Sequence, residues 1–244
     1  MNTLTRKQRE IAERHALLLD IGRRLVESEG YRNLSMERIA EISEYSKGTV
    51  YQHFSCKEEM LIQLCNHNSI SLKSMFERAR TFDGSGREKM MAIFVAHELW
   101  ATLNPSCHEL HQILCGGGTK EKVTAESLEI HSGLEFEVFG MVGNIVEDAI
   151  ANKELHAAKE PSASELVFSL WSICHGGLQL RSLDLPFEQM GINDPQGATL
   201  RAIGSMLDGI GWRPLSTEHD YGAVIERIKS TVFTEEQQQQ ARTH

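Results

Sequence analysis

The sequence predicts an all-α protein of about nine or ten helices, in which a small three-helix head carrying a helix-turn-helix precedes a larger helical body. Apolar residues recur at helical spacing along most of the chain, as at Leu18, Ile21 and Leu25, and no segment alternates as a strand does. Two short helical segments with a tight turn between them lie between Ser35 and Lys57. Hydrophobic residues make up 41% of the 244 positions, enough to bury a substantial core.

The first of these two short segments begins at Ser35, which is placed to cap it, and carries Met36, Ile39 and Ala40 on one face. The second segment begins at Ser46, is about two turns long and is expected to bury Val50 and Phe54. The side chains it would present outward are Lys47, Thr49, Tyr51, Gln52 and His53, with Gly48 allowing close backbone approach. A short helix that offers such hydrogen-bond donors has the dimensions of an element that enters the DNA major groove.

The charge distribution is compatible with such a role, although the net charge is −9. Residues 1–57 carry a charge of +2 and the remainder carries −11. Because phosphate binding is local, a basic end can dock on DNA while an acidic remainder keeps other faces away from it.

The residues of the head also carry a resemblance. Ser35 and Ile39-Ala40 are followed by the runs Ser46-Lys47-Gly48-Thr49-Val50-Tyr51-Gln52-His53-Phe54 and Lys57-Glu58-Glu59-Met60. On these motifs, residues from about Arg14 to Leu64 resemble the N-terminal domain of the TetR family of bacterial transcriptional regulators. One departure is the turn, where the family usually has Ala-Gly-Val and this chain has Ser43-Glu44-Tyr45, so either Glu44 accepts the strain of a positive φ angle that glycine would relieve, or the turn differs slightly from that of the family.

The resemblance implies roles for individual residues of the head. Lys47, Thr49 and Gln52 are expected to contact bases, and Ser35, Tyr51, His53 and Lys57 are expected to contact phosphates. Ser46 and Gly48 complete the predicted DNA-binding set. For Tyr51 the alternative is packing against the first helix. Lys57 is placed near the start of the fourth helix, where Ser55 and Glu58 have the spacing of a capping box.

The resemblance implies a DNA-binding domain at residues 1–55 and a ligand-binding and dimerisation domain at 56–230, and the polar composition of residues 231–244 predicts a disordered tail. Arg6, Lys7 and Arg9 precede the first helix on an arm, which either is simply solvated or contacts phosphates or the minor groove.

The resemblance implies a homodimer held by a four-helix bundle, and two helices of the predicted body, about 162–184 and 195–211, are the candidates for its interface, unless they complete the core of one subunit. The resemblance implies that the body holds a pocket for a small-molecule effector, and that an occupied pocket separates the two heads of a dimer and releases a palindromic operator. The residues assigned to this pocket are Trp100, His111, Phe136, Phe139, Trp171 and His175, all of which also suit an ordinary core.

Other classes of site are less well supported. His108, His111 and Cys115 share a helical face and could bind a transition metal with one further ligand, but a partly buried helix with scattered polar residues explains them as well. No spacing suggests a catalytic group, so neither an enzyme nor a cofactor is predicted. A helical interaction or metal-sensing protein with no organic effector remains the alternative function. Five irregularly spaced cysteines and no apolar leader favour the cytoplasm.

Overall fold

The computed structural model describes residues 5–116, 118–156, 161–183 and 185–243 of the chain. Within these residues every regular element is a helix, which confirms the predicted all-α class. The α-helices are Arg6–Glu29 (α1), Met36–Ser43 (α2), Lys47–His53 (α3), Lys57–Arg80 (α4), Gly86–Leu103 (α5), Pro105–Cys115 (α6), Ala125–Ala151 (α7), Ala163–Arg181 (α8), Pro195–Gly209 (α9), Tyr221–Val232 (α10) and Thr234–Thr243 (α11). Short 3-10 helices span Tyr31–Asn33 and Lys120–Lys122.

The chain forms two compact units. The first contains the chain up to Ile70 together with Pro105–Leu134, and the second contains Ser71–Asn104 and the chain from Glu135 onward. The division therefore falls inside α4 and inside α7, each of which is one continuous helix. The first unit thus comprises more than the three-helix head that the sequence predicts, because α6 and the start of α7 belong to it.

The core of the first unit is built from the apolar faces of α1, α2, α3, α4 and α6. Leu18, Ile39, Val50 and Phe54 are fully buried in it, as the helical spacing predicts. Gly22 on α1 allows a close approach to α4, because a Cβ atom there would lie 2.5 Å from the Met60 sulfur.

The start of α1 differs from the prediction of an arm. The Thr5 side chain accepts a hydrogen bond from the Gln8 backbone N–H, and the Gln8 side chain accepts one from the Thr5 backbone, which together form a capping box. As a result Arg6, Lys7 and Arg9 lie on the first turn of the helix. In the sequence, the Thr-x-x-Gln spacing of residues 5–8 is the signal that would have indicated this earlier start of α1.

The start of α4 also differs, because the helix begins at Lys57 and the Cys56 Sγ atom accepts the Glu59 N–H at 3.4 Å. Ser55 and Glu58 therefore do not form the predicted capping box. Glu59 is buried and accepts hydrogen bonds from the Thr124 N–H, at 2.9 Å, and from the Ser127 hydroxyl. A carboxylate at this place stabilises the N-terminal end of α7, whose backbone N–H groups lack partners within the helix.

The second unit is organised around α5, which is buried along most of its length and packs against α10 and α11. Helices α8 and α9 also pack together, and a Cβ atom at Gly177 would lie 2.5 Å from the Thr199 hydroxyl. In the described part of the chain, no helix combines the length and the apolar character that crossing a bilayer requires.

The C-terminal residues correct the prediction of a disordered tail at 231–244, since residues 234–243 form α11. Phe233, just before this helix, is fully buried and lies beneath the Arg78 guanidinium, 5.0 Å from its ring centroid. Arg78 also forms an ion pair with Glu236. The polar composition of the tail gives no sign of these contacts, because they come from Phe233 and from the long-range ion pair between Arg78 and Glu236.

Candidate DNA-binding site

The helix α3 is formed as the sequence predicts. The Ser46 Oγ accepts the Thr49 N–H at 3.1 Å and so caps the helix, while Val50 and Phe54 face inward with no exposed surface. Lys47, Tyr51 and Gln52 are exposed. Thr49 and His53 are only half-exposed, and the Thr49 hydroxyl lies 2.9 Å from that of Ser46.

The helix α2 and the turn after it set the position of α3. The Ser35 hydroxyl accepts the Arg38 N–H at 3.1 Å and caps α2 as predicted. Glu44 then adopts a left-handed backbone with φ 58° and ψ 16°, which confirms that the turn requires a positive φ angle. The geometry that glycine would supply is therefore reached here by a glutamate under strain.

The strained turn yields a stability prediction. Replacing Glu44 with glycine should raise the free energy of unfolding of the first unit by about 1 kcal/mol, because a left-handed backbone costs an L-residue roughly that amount. The matched control is Glu41→Gly within α2, where glycine should instead lower stability by about 1 kcal/mol. Urea denaturation followed by circular dichroism measures both, and a stability loss in both variants would show that Glu44 is not strained.

His15 of α1 and Gln63 of α4 pack beneath the C-terminal end of α3. The His15 ring of α1 stacks on Phe54 with 4.6 Å between ring centroids, and its Nε2 lies 2.7 Å from the Gln63 Oε1 of α4. His53 lies 5.5 Å from His15, centroid to centroid. Burial lowers the pKa of His53, and the neighbouring His15 and Arg14 lower it further, so this side chain is neutral at neutral pH. A neutral imidazole can donate one hydrogen bond to a phosphate but brings no charge.

Lys57 and Lys47 both have contacts within the protein. The Lys57 ammonium donates to the Arg32 carbonyl at 3.3 Å and lies 4.1 Å from the centroid of the Tyr31 ring. Burial lowers the pKa of Lys57, although Glu58 nearby opposes the shift. The Lys47 ammonium lies 3.3 Å from a Glu37 carboxylate oxygen, and both side chains are more than half exposed. Either cation has to exchange these contacts in order to bind a phosphate or a base.

The arrangement therefore offers a capped helix of seven residues whose outer face carries an ammonium, a phenol and a carboxamide. These groups match what major-groove recognition uses: a carboxamide pairs with base edges, and ammonium and phenol groups bind bases or phosphates.

Residues 18–64 match the family model described as "Bacterial regulatory proteins, tetR family". The head is a TetR-family DNA-binding domain. The matched residues lie inside the segment of about 14–64 that the sequence motifs indicate, and they include all of α2 and α3.

Solved structures of TetR-family proteins share the fold of most of the chain. The crystal structure of a bacterial regulatory protein in the tetR family from Rhodococcus RHA1 is 17% identical, with a TM-score of 0.61 over 81% of this chain and 97% of that one. The TetR family transcriptional regulator PfmR from Thermus thermophilus is 16% identical, with a TM-score of 0.57 over 76% and 94%. A TetR/AcrR family regulator from Thermobifida fusca is 15% identical, with a TM-score of 0.57 over 77% and 97%. Among curated proteins no sequence match was found.

The six residues assigned to the effector pocket have varied surroundings. Trp100 is buried on α5, whereas Phe136 on α7 is 79% exposed. Trp171 on α8 is 49% exposed and lies edge-on to His175, with 5.9 Å between ring centroids. Phe139 and His111 are half-buried. Of this set, the structure brings Trp171 and His175 together.

A cleft of about 500 Å³ in the second unit is formed by the ends of α4 and α7 and the start of α5. Its lining is charged, and includes Glu77, Arg80, Lys89, Asp148 and Glu154. None of the six predicted pocket residues lines it. A ligand of this cleft would therefore have to be polar. The helical periodicity of the sequence gave no signal for the cleft, because charged residues on a helix face are usually solvated.

The three candidate metal ligands on α6 take part in two separate contacts. The His108 Nε2 lies 3.2 Å from the Gln112 amide nitrogen. The Cys115 Sγ lies 3.8 Å from the His111 Nε2, so those two residues do share a face as predicted. His111 also lies near His131 of α7, with 6.2 Å between the ring centroids.

Proposed function

We propose that this protein is a ligand-responsive transcriptional repressor, which binds a palindromic operator as a homodimer and is released from it when an effector binds. The observation that carries the proposal is the exposed face of α3, where Lys47, Tyr51 and Gln52 project from a helix held firmly by its cap and by the buried Phe54. An enzyme or a purely structural helical protein has no need of such donors on a two-turn helix.

The homodimer is proposed through residues about 162–184 and 195–211. On α8, Phe168 and Trp171 are 60% and 49% exposed in the single chain and lie one turn apart. Neighbouring exposed aromatic residues suit a surface that a second copy covers. A dimer of this kind would set two recognition helices about 34–36 Å apart, the spacing of successive major grooves on one face of DNA. Sedimentation should then give twice the chain mass of 27.5 kDa.

The proposal is tested by selecting an operator from a pool of random duplexes and measuring affinity by fluorescence anisotropy at several salt concentrations. Gln52→Ala should change the preferred sequence, at a cost of about 1–3 kcal/mol on the selected operator. Lys57→Ala should weaken binding to all duplexes alike and lower the slope of log affinity against log salt by about one.

The control is Lys229→Ala, which removes a cation of the second unit that pairs with Glu226 and should leave both properties unchanged. Equal loss on every duplex from both the Gln52 and the Lys57 variant would contradict the assigned roles. Failure of the unmodified chain to select any sequence would overturn the function itself.

A further inference from the structure

Three side chains that ligate transition metals come together where α6 and α7 meet. His111 on α6 and His131 and Glu135 on α7 present ligand atoms that all lie within 4.8 Å of one another. His131 is 1% exposed, while His111 and Glu135 are half-buried. His131 and Glu135 are four residues apart, so α7 places both side chains on one face.

Asn66 of α4 orients the buried histidine. Its Oδ1 lies 2.8 Å from the His131 Nδ1, and Asn66 is itself 8% exposed. A carboxamide oxygen only accepts hydrogen bonds, so Nδ1 carries the proton and donates it, and Nε2 carries the lone pair. This is the arrangement by which a second hydrogen bond fixes the tautomer of a metal-binding histidine.

We propose that His111, His131 and Glu135 bind a divalent transition-metal ion of the zinc class. Two imidazoles and one carboxylate suit Zn²⁺, Co²⁺ or Ni²⁺ better than Mg²⁺ or Ca²⁺, which prefer oxygen ligands throughout. With metal–ligand bonds of about 2.0–2.2 Å, ligand atoms lie roughly 3.4 Å apart in a tetrahedron, so small side-chain rotations close the site. Three protein ligands leave one position for water.

The metal would act as the effector, an inference that rests on the proposed function. His111, His131 and Asn66 belong to the same compact unit as the proposed recognition helix α3, and Glu135, the first residue of α7 that belongs to the other unit, follows His131 by about one turn of this continuous helix. On α4, Asn66 lies one turn from Gln63, which contacts His15, and His15 stacks on Phe54 at the end of α3. Because Asn66 contacts a proposed ligand, a metal that draws His131 inward changes the packing of α4 next to the head. Metal binding should lower operator affinity by about tenfold or more.

The metal site is tested on the full chain, freed of metal with a chelator and titrated with cobalt(II). Absorption of tetrahedral cobalt should saturate at one ion per chain, and zinc should displace it. Glu135→Gln and His131→Gln should each raise the cobalt dissociation constant at least about tenfold. His108→Gln is the matched control, because His108 lies on α6 outside the cluster and its loss should change nothing. Since His131 is buried, circular dichroism checks folding, and the half-buried Glu135 provides the variant least prone to unfold.

Operator binding separates the two proposals. Metal-free protein that binds the selected operator, and loses affinity with zinc only when Glu135 and His131 are present, supports both. Metal-free protein that binds the operator but takes up no stoichiometric cobalt overturns the metal site and leaves the repressor function standing. Cobalt binding without any DNA binding keeps the site but overturns its role as an effector site. Equal cobalt affinity in the His108, His131 and Glu135 variants overturns the ligand set.

Discussion

Replacing Arg87 with alanine is expected to lower the free energy of unfolding of the second unit by about 3–5 kcal/mol, the usual cost of breaking a buried charged network. Arg87 lies on α5 with no exposed surface. Its guanidinium donates to the carbonyls of Trp212 and Pro214, at 2.6 and 2.9 Å, and lies 2.7 Å from an Asp208 carboxylate oxygen.

Further contacts explain why the loss should be large. The second guanidinium nitrogen of Arg87 donates to the Gly204 carbonyl at 3.2 Å and to the Ser216 hydroxyl at 3.0 Å, and the group lies 4.5 Å from the centroid of the Tyr221 ring. Alanine would remove the guanidinium from the buried Trp212 carbonyl and open a cavity, while the Pro214 carbonyl would keep the Tyr221 hydroxyl and Asp208 would keep the Ser216 N–H. The connection between α9 and α10 would then be held to α5 by the contact between His219 and Glu88.

Urea denaturation followed by circular dichroism measures this effect. The control is Arg201→Ala, because Arg201 forms an exposed ion pair with Asp194 at 3.2 Å and should contribute less than about 1 kcal/mol. If the two substitutions cost the same, the buried network does not stabilise the second unit.

Replacing Phe54 with alanine is expected to lower the free energy of unfolding of the first unit by about 3–5 kcal/mol and to abolish operator binding. Phe54 follows α3 directly, is fully buried and stacks on His15. Small domains retain only about 5–15 kcal/mol of net stability, so a loss of this size leaves little of the recognition helix in place.

A substitution of the neighbouring Tyr51 distinguishes an effect on DNA binding from an effect on stability. Tyr51 lies on α3 and is 46% exposed, so Tyr51→Ala should cost about 1 kcal/mol or less in stability while still weakening DNA binding. Denaturation and anisotropy measurements on both variants make the comparison. Equal destabilisation by the two substitutions would favour packing of Tyr51 against the first helix, the alternative considered from the sequence.

Local sequence signals predicted much of the fold because they act over one or two helical turns. The Ser162–Glu165 capping box at the start of α8 and the Asp220 side chain that caps α10 are examples of such local features. Ser35 and Ser46 cap the two helices of the helix-turn-helix, and the apolar spacing identified Val50 and Phe54 as core residues. Such features depend on the residues nearby and so can be read without the rest of the chain.

Features that depend on distant residues could not be predicted in this way. The acceptors of Arg87 are more than a hundred positions away, and a lone arginine on a helix usually reads as solvated. Phe233 and Glu236 hold α11 through contacts with α4 and α5. The His131–Glu135 pair had the spacing of two ligands on one helix face, but its link to His111 crosses a connection that no periodicity describes.

The Glu37 carboxylate forms an ion pair with the Lys47 ammonium of α3, and it therefore competes with other anions for that ammonium. A nucleic acid gains less from meeting this ammonium than from an unengaged one, because the carboxylate must be displaced first. Binding to non-operator DNA is weakened as a result, whereas a cognate operator can compensate through additional base contacts. Under the proposed function, a paired cation on the outer face of α3 is therefore expected to narrow the range of DNA sequences that the protein binds.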